Sequence, residues 1–484
     1  MTDVFIFVYT TKNHNMTQIK FGTDGWRAII AKEYTTDNVA RVALATAKWL
    51  KKSHKSPKVV IGYDARFGGP MFAEVAAKMF CSEGIKVLMA DRIATTPMVS
   101  LGTIRMKAQQ GVVITASHNP ASYNGYKLKS AMGGPSVPAD IEAVEKLIRK
   151  TVPTIPTESL ADYETAGMLE YVNLEELYLK EVKAGFDLKK IQKKVKIGYD
   201  AMYGAGQFVF PQILPNAALL HCDYNPSFMG QAPEPIARNL KEFSKMLKKS
   251  PKLVAGLAND GDADRIGLMD EKGNFVDSHH ILLLLIDYLS QHKKLTGEVI
   301  HTFSVTGKVR DLCDMYGLPY QVTQIGFKHI CQLMNDGVDV LVGGEESGGI
   351  AIKGFIPERD GIWIGLTIFE YMAVTGKSLN ELIKGLYKKV GRFTNDRDDL
   401  HISNDRKWKI MDYCKEGKFS KFGDYKVTNT EDLDGYKYHF KDGSWIMIRP
   451  SGTEPVLRVY AEAASKKKVR AVLEAAHGEL GKVK

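Results

Sequence analysis

Short apolar runs alternate with longer amphipathic segments along most of the chain. The runs predict buried strands, and the segments between them, which begin near Asp or Pro and end near Gly or Lys, predict helices. In the first third, strands are predicted over 59–64, 86–90 and 111–114, and helices over 36–51 and 139–150, from Pro70 to Gly84, and from Pro97. This alternation is typical of βαβ units with parallel pairing.

The same pattern returns twice. The segment Ile197 to Ala201 repeats the sequence of Ile61 to Ala65, IGYDA, and each copy is soon followed by glycine, which indicates duplicated α/β domains. Further strands are predicted over 252–257, 298–302 and 338–342, with helices over 278–291 and 307–315.

The last hundred residues show a different pattern. From about Gly391 apolar and polar residues alternate more often, which predicts strands over 444–448 and 456–461. A terminal helix capped by Ser465 follows, as in a small α+β domain. Prolines 153 and 156 mark the first linker. We therefore expect an extension over 1–15 and four domains over 16–162, 163–275, 276–389 and 390–484.

Composition narrows the class of protein. A chain of 484 residues is too long for one core and predicts three or four domains. The net charge of +10 is carried by scattered basic residues without an aromatic-studded stripe, so an acidic small molecule fits the charge at least as well as nucleic acid does. A surface bias with no specific partner is the remaining alternative.

The cysteines and the longest apolar run bear on location. Five cysteines lie far apart with no CxxC pair, which suits reduced thiols in a cytoplasmic protein. The longest aliphatic run, 281–286, is far too short to span a membrane. Residues 1–15 lack a basic start and a full apolar stretch, so we interpret them as a translation-start artefact or a disordered extension and not as a signal peptide.

Four polar loops follow predicted strands. The first is TASHNP, in which Ser117 stands where a buried strand gives way to a loop and Pro120 keeps that loop out of a helix. In open α/β sheets ligands gather at the carboxyl ends of strands, so a hydroxyl there can be a nucleophile or a phosphoryl carrier. Taken alone, however, a turn serine is the commoner interpretation.

The second loop, DGDADR, places Asp260, Asp262 and Asp264 at alternate positions. Alternate side chains of an extended segment share a side, so three hard oxygen ligands converge and suit Mg²⁺ or Ca²⁺. A calcium hand is disfavoured because Arg265 stands where its glycine belongs and a strand precedes the loop. A solvated acidic turn is the remaining alternative.

The other two loops are glycine-rich. RPSGTEP joins Arg449 to two hydroxyls and a glycine within one turn, a pattern suited to phosphate, and Arg458 follows on the next strand. A capped hairpin turn is its alternative. GEESGG, over 344–349, offers carboxylates and a hydroxyl to sugar hydroxyls, although by itself a flexible turn is equally compatible.

Together, TASHNP, DGDADR, GEESGG and RPSGTEP, in this order, resemble the α-D-phosphohexomutase family, which includes phosphoglucomutase and phosphomannomutase. The resemblance covers essentially residues 16–484. It implies four domains around a central cleft: three related α/β domains with mixed sheets and a smaller C-terminal α+β domain.

The resemblance also implies roles. Ser117 would carry a phosphoryl group and, with the three aspartates of DGDADR, hold one Mg²⁺. Lys127 would do acid–base work, Arg27 and Arg265 would lie near the phosphoserine, and His118 would orient the loop. The residues implied to bind substrate are Glu345, Ser347, Lys328, Arg449, Ser451, Gly452, Thr453 and Arg458. Lys328 matches phosphoglucomutase-like members, whereas some phosphomannomutase-type members carry a histidine in that loop.

The implied activity is interconversion of hexose 1-phosphate and 6-phosphate through hexose 1,6-bisphosphate, which is both intermediate and activator. Glucose phosphate is the first choice of substrate and mannose phosphate is expected to be accepted as well, with phosphoglucosamine mutase as the alternative activity. A sugar-phosphate phosphatase would not need RPSGTEP to clamp the phosphate at the far end of the sugar. A catalytically silent binding protein would not need the intact serine and aspartates. We expect a phosphosugar as the partner, no nucleic acid or membrane, and a monomer or homodimer.

Overall fold

The computed structural model describes residues 18–22, 24–451 and 455–483. The first domain is built on a six-stranded sheet in the order β1-β5-β4-β2-β3-β6, in which β5 runs antiparallel to both neighbours. Its strands are β1 (Trp26–Ile29), β2 (Lys58–Tyr63), β3 (Lys86–Ala90), β4 (Gln110–Ile114), β5 (Tyr123–Ser130) and β6 (Leu169–Val172), and its helices are α1 (Thr36–Ser53), α2 (Gly69–Ser82), α3 (Thr96–Arg105), α4 (Pro138–Glu145) and α5 (Leu160–Thr165).

The second domain has a five-stranded sheet in the order β11-β10-β9-β7-β8. Its strands are β7 (Ile197–Asp200), β8 (Ala218–Leu220), β9 (Ala255–Asn259), β10 (Ile266–Asp270) and β11 (Phe275–Val276), and its helices are α6 (Leu174–Gly185), α7 (Leu188–Lys194), α8 (Gly206–Ile213) and α9 (Lys241–Lys249), with a 3₁₀ turn at Phe228–Gly230.

The third domain has a four-stranded sheet in the order β13-β12-β14-β15. Its strands are β12 (Glu298–Thr302), β13 (Tyr320–Thr323), β14 (Val340–Gly344) and β15 (Ile350–Ile352), and its helices are α10 (Ser278–Asp287), continued by a π-helical turn at Tyr288–His292, α11 (Lys308–Tyr316), α12 (Phe327–Asn335), α13 (Gly361–Thr375) and α14 (Leu379–Val390).

These three sheets share one four-stranded unit. In each, the central strand (β2, β7 or β12) pairs in parallel with two neighbours, and the second neighbour (β4, β9 or β14) then pairs antiparallel with the next strand in the chain. The two IGYDA copies coincide with β2 and β7 and the loops after them. The expectation of three related α/β domains with mixed sheets is therefore confirmed.

The C-terminal domain differs, as predicted. All pairings in its six-stranded sheet, β16-β21-β20-β19-β18-β17, are antiparallel. Ser465 caps the last helix by accepting a hydrogen bond from the Lys468 amide at 3.3 Å. The elements are β16 (Thr394–His401), α15 (Asn404–Lys415), β17 (Lys421–Phe422), β18 (Tyr425–Glu431), β19 (Tyr436–Phe440), β20 (Trp445–Pro450), β21 (Val456–Ala463) and α16 (Lys466–Lys482).

Several predicted bounds shift. The helix predicted over 139–150 ends at Glu145, and the strand predicted over 338–342 runs from Val340 to Gly344. Strand β6 pairs with β3, so the first sheet continues past the boundary predicted at 162. The extension predicted over 1–15 lies outside the described residues.

Apolar packing unites the first three domains. One buried cluster includes side chains from all three, such as Val60, Leu257 and Leu341. The C-terminal domain has its own core and meets the third domain through a small cluster in which Phe303 packs with Trp445, Met447 and Tyr460. Among the residues that the structure describes, no helix combines the length and the apolar character needed to cross a membrane.

Candidate active site

The serine of TASHNP lies in a tight loop at the carboxyl end of β4. Ser117 is 1% exposed and has a φ of +52°, in the left-handed region that side chains other than glycine seldom adopt. Its amide donates to the Thr115 hydroxyl at 2.9 Å. The loop therefore presents one hydroxyl from a fixed and strained backbone.

That hydroxyl meets the aspartate loop of the second domain. Ser117 Oγ donates to Asp260 Oδ2 at 2.6 Å, and His118 Nδ1 lies 3.3 Å from the same Oγ. Burial, together with the charges of Arg265 and Arg27, lowers the pKa of His118 well below its usual value. The neutral imidazole beside Ser117 is consistent with an orienting role.

The three aspartates converge as predicted. Asp260, Asp262 and Asp264 are fully buried, and one carboxylate oxygen from each lies within 4.8 Å of the others. Burial and the two neighbouring carboxylates raise the pKa of Asp260 well above its usual range. Oδ1 of Asp262 and Oδ1 of Asp264 find no hydrogen-bond partner in the described part of the chain. Orphaned carboxylate oxygens converging on one point fit a hard divalent cation.

Strand β9 precedes this loop, and Arg265 occupies the position where a calcium hand requires glycine. The arrangement therefore has neither the entering helix nor the turn of a calcium hand. Three fully buried carboxylates are equally unlike a solvated acidic turn.

Lys127, on β5, lies against the aspartates. Its Nζ is 2.7 Å from Asp262 Oδ2, 3.0 Å from Asp264 Oδ2 and 2.9 Å from Asp24 Oδ2. Burial opposes the charge of this ammonium, but the three carboxylates raise its pKa overall. Lys127 is therefore held as a protonated ammonium between the first and second domains, against the aspartate loop.

The two arginines predicted near the serine occupy different places. Arg27 Nη1 donates to Asn119 Oδ1 at 2.7 Å and so contacts the serine loop. The amide of Arg265 donates to Asp260 Oδ1 at 3.0 Å, and Arg265 forms a β-bridge with Gly349. Arg265 therefore joins the aspartate loop to GEESGG of the third domain.

GEESGG itself begins at the end of β14. Glu345 is buried, which raises its pKa to about 7, and Glu346 accepts a short hydrogen bond from the Ser304 hydroxyl. Ser347 is half-buried in the same turn. Lys328 stands in the first turn of α12 and lines a cavity of about 160 Å³ between the first and third domains.

The basic loop lies at the end of β20. Arg449 is the direct cross-strand partner of Arg458, and its Nε is 2.9 Å from Asp434 Oδ1. Burial works against the charge of Arg449, whereas Asp434, and more weakly Glu346, raise its pKa. The carboxylate of Glu346, in the third domain, thus lies close enough to Arg449 of the C-terminal domain to interact with its charge.

Ser451 is buried at the end of this strand, where its carbonyl accepts from Lys407 Nζ at 3.0 Å. Gly452 and Thr453, predicted to bind phosphate, lie outside the described residues. Among the described ones, no hydrogen bond or ion pair joins Arg449 or Arg458 to the serine loop.

Sequence reasoning missed the charges beneath the site. Arg359 Nη2 contacts Asp264 Oδ2 at 2.7 Å and also pairs with Asp24, so one guanidinium connects all three α/β domains. Asp64 and Arg66 support the serine loop from the IGYDA turn. The IGYDA repeat contains Asp64 and directly precedes Arg66, so it could have pointed to this pair. No local sequence pattern marks Arg359.

Comparison with known proteins agrees with this arrangement. Family models of phosphoglucomutase/phosphomannomutase match α/β/α domain I at residues 18–153, domain II at 176–273, domain III at 277–390 and the C-terminal domain at 413–477.

Individual relatives match more than nine-tenths of the chain. A "Phosphoglucomutase/phosphomannomutase" from Thermococcus kodakarensis is 32% identical over 465 residues, covering 94% of this chain and 96% of the relative. A protein from Methanosphaera stadtmanae named "Probable phosphoglucosamine mutase" is 30% identical, with 93% and 96% covered. The crystal structure of the phosphoglucomutase parafusin from Paramecium, in an open form, has the same fold with a TM-score of 0.82 at 20% identity, covering 97% of this chain and 96% of that one.

Fold and comparisons thus define the class, that of isomerases acting as intramolecular phosphotransferases. The chain belongs to the phosphoglucomutase/phosphomannomutase, or α-D-phosphohexomutase, family.

Proposed function

We propose that this phosphohexomutase interconverts hexose 1-phosphate and hexose 6-phosphate by way of a phosphoserine at Ser117. The observation that carries the proposal is the 2.6 Å hydrogen bond from Ser117 Oγ to Asp260, within a set of three buried carboxylates. A hydroxyl fixed there is suited to carry a phosphoryl group, because phosphoryl transfer asks the protein mainly for positioning and charge stabilisation.

The proposed cycle has two transfers. In the first, the bond from phosphorus to Ser117 Oγ breaks and a bond from phosphorus to the free hydroxyl of the hexose monophosphate forms. Lys127 gives a proton to Ser117 Oγ and regains one from that hydroxyl. The hexose 1,6-bisphosphate then turns over in the cleft, and the reverse exchange returns its other phosphoryl group to Ser117.

Asp260, Asp262 and Asp264, together with an oxygen on Ser117, would hold one Mg²⁺. Such an ion would neutralise charge on the transferring group. Arg27 supports the loop through Asn119, and Arg265 joins the aspartate loop to GEESGG. We assign both arginines to the surroundings of the phosphoserine.

The remote phosphate is assigned to the basic loop. A unit charge pair at 4 Å is worth about 4 kcal/mol at an effective dielectric of 20, and each phosphate carries just under two charges at neutral pH. Arg449 and Arg458, adjacent across two strands, supply the matching cations. Ser451, Gly452 and Thr453 complete the proposed clamp.

Glucose phosphate is our first choice of substrate and mannose phosphate is accepted as well, with Glu345, Ser347 and Lys328 as the contacts of the ring hydroxyls. The name of the Thermococcus relative includes both sugars, which supports the use of both. Phosphoglucosamine mutase is the second candidate, since the Methanosphaera relative bears that name. We further propose a cytoplasmic protein, monomeric or homodimeric, with no nucleic acid or membrane partner.

Coupled assays with the 1-phosphates of glucose, mannose and glucosamine, each with a trace of its bisphosphate, test the proposal. We expect hexose 6-phosphate from glucose and mannose substrates, and loss of turnover by several orders of magnitude in Ser117→Ala with unchanged circular dichroism. Release of only free sugar and inorganic phosphate would favour a phosphatase instead. Near-normal turnover by the variant would exclude Ser117 as the carrier.

A further inference from the structure

A fully buried arginine holds the backbone of the serine loop. Arg66 Nη2 donates to the carbonyls of Ser117 and Asn119, both at 2.6 Å. Its Nη1 donates to the carbonyls of Pro120 and Tyr123, at 2.9 and 3.0 Å. One planar guanidinium thus fixes four carbonyl groups around the nucleophile, a geometry that a lysine cannot reproduce.

Asp64 orients this guanidinium and reaches the serine by a second route. Its Oδ2 lies 3.2 Å from Arg66 Nε and accepts the Thr115 hydroxyl at 2.6 Å. The same Thr115 oxygen accepts the Ser117 amide at 2.9 Å. Both the amide and the carbonyl of Ser117 are therefore tied to the Asp64–Arg66 pair.

The backbone that is held in this way is strained. Ser117 has a φ of +52°, which a residue with a Cβ retains only when its surroundings impose it. Relaxation of this residue would turn Oγ away from Asp260.

The second domain provides an internal comparison. There the repeat reads IGYDAM, and Asp200 accepts the Met202 amide at 2.8 Å, as Asp64 accepts that of Arg66 at 3.0 Å. The shared fold unit therefore forms without an arginine in the domain whose equivalent loop carries no nucleophile. The fold alone does not explain Arg66.

We infer that Arg66, oriented by Asp64, is a positioning residue that holds Ser117 Oγ in line for phosphoryl transfer, an inference that rests on the proposed function. Arg66 acts through the loop and need not touch substrate. Its loss is expected to slow the chemistry while leaving sugar binding largely intact.

The test measures how fast glucose 1,6-bisphosphate phosphorylates Ser117. In this half-reaction a sugar–phosphate P–O bond breaks, a bond from phosphorus to Ser117 Oγ forms, and the serine proton passes to the released sugar oxygen. Rapid quenching followed by intact-mass analysis counts the phosphoryl group gained. The kcat and KM for glucose 1-phosphate and the melting temperature are recorded alongside.

Four variants separate positioning from stability. Arg66→Met removes the guanidinium, and Asp64→Asn/Arg66→Met also removes the buried carboxylate that would otherwise lose its partner. Arg66→Lys keeps the charge without the planar fork. The matched control is Arg41→Met, since Arg41 is a buried arginine of the same domain whose Nε donates to the Arg149 carbonyl, away from the site.

We expect the phosphorylation of Ser117 by glucose 1,6-bisphosphate, here called loading, to be about 100-fold slower in the double variant than in the wild type. A loss of this size is typical of a nucleophile misplaced by about 1 Å, and KM should stay within about threefold of wild type. Arg66→Lys should recover part of that rate. Arg41→Met should load at the wild-type rate even where its melting temperature falls.

A folded double variant that loads at the wild-type rate would overturn the inference. So would a loss of rate that merely follows melting temperature, with the control slowed equally. If Arg66→Met does not fold, the double variant and Arg66→Lys still decide the question. A wild-type protein that never gains phosphate on Ser117 would instead overturn the proposed function, and the inference with it.

Discussion

A single methyl group placed between the two central loops should separate them. Gly261 lies in DGDADR, and a Cβ built there would come within 2.4 Å of the Ser117 carbonyl oxygen and 3.3 Å of Pro233 Cγ. Its φ lies outside the left-handed region, so alanine brings no backbone strain of its own and the conflict is purely steric. Because the Ser117 carbonyl is fixed by Arg66, the nearer contact cannot yield cheaply.

The magnitude follows from the distances. Ordinary van der Waals contact begins at 3.4 Å, so the loops would have to move apart by about 1 Å. The distance from Ser117 Oγ to Asp260 Oδ2, now 2.6 Å, would then exceed hydrogen-bond length. A displacement of about 1 Å costs about 100-fold in rate, equivalent to about 2.7 kcal/mol in the activation barrier.

The assay compares kcat/KM for glucose 1-phosphate in the wild type and Gly261→Ala, with melting temperatures for both. Gly385→Ala is the matched control, because Gly385 lies in α14 with open space around its Cβ position. The control should keep full activity and gain up to about 1 kcal/mol of stability from helix propensity. A Gly261→Ala enzyme that is folded and within about threefold of wild type would refute the close packing of the two loops.

Three further results are expected. Chelation by EDTA should abolish turnover, and added Mg²⁺ should restore it. The Asp262→Asn variant should not regain turnover at the Mg²⁺ concentration that restores the wild type. Undiminished turnover in EDTA would contradict the metal site. Arg449→Met should raise KM for glucose 1-phosphate by at least about tenfold, since a charge-assisted phosphate contact is lost, with little change in melting temperature; an unchanged KM would remove Arg449 from the clamp. Burial raises the pKa of Asp360 to about 7 from 3.8, so the folded state holds the proton more tightly and stability falls as pH rises between these values. Relative to Asp360→Asn, the wild type should lose about 1.4 kcal/mol of unfolding free energy per pH unit in that window, measured by urea titration, and parallel pH profiles would contradict the assignment.

The parts predictable from sequence are local. Periodicity and turn residues placed Ser117 and the aspartate loop at the ends of strands, and the structure has them at the ends of β4 and β9. The alternation of Asp260, Asp262 and Asp264 predicted their convergence, because neighbours two apart on an extended loop share a side. The repeat IGYDA likewise predicted that the first two domains are related, since it marks the same strand and turn in both.

What escaped prediction depends on contacts between distant segments. No spacing rule brings Arg359 to Asp264 and Asp24, because this meeting depends on how three domains pack. Arg66 was visible beside the repeat, but its four carbonyl partners belong to a loop about fifty residues later. Strand β6 was also missed, since it joins the first sheet after a linker that looked like a domain boundary.

The most direct measurement follows a labelled phosphoryl group from Ser117 into sugar. Protein carrying ³²P on Ser117 is mixed with unlabelled glucose 1-phosphate, and the products are separated within one turnover. Label should appear in glucose 1,6-bisphosphate, and Ser117→Ala should take up none. Label found only in inorganic phosphate, or retained on a residue other than Ser117, would contradict transfer between this serine and the sugar.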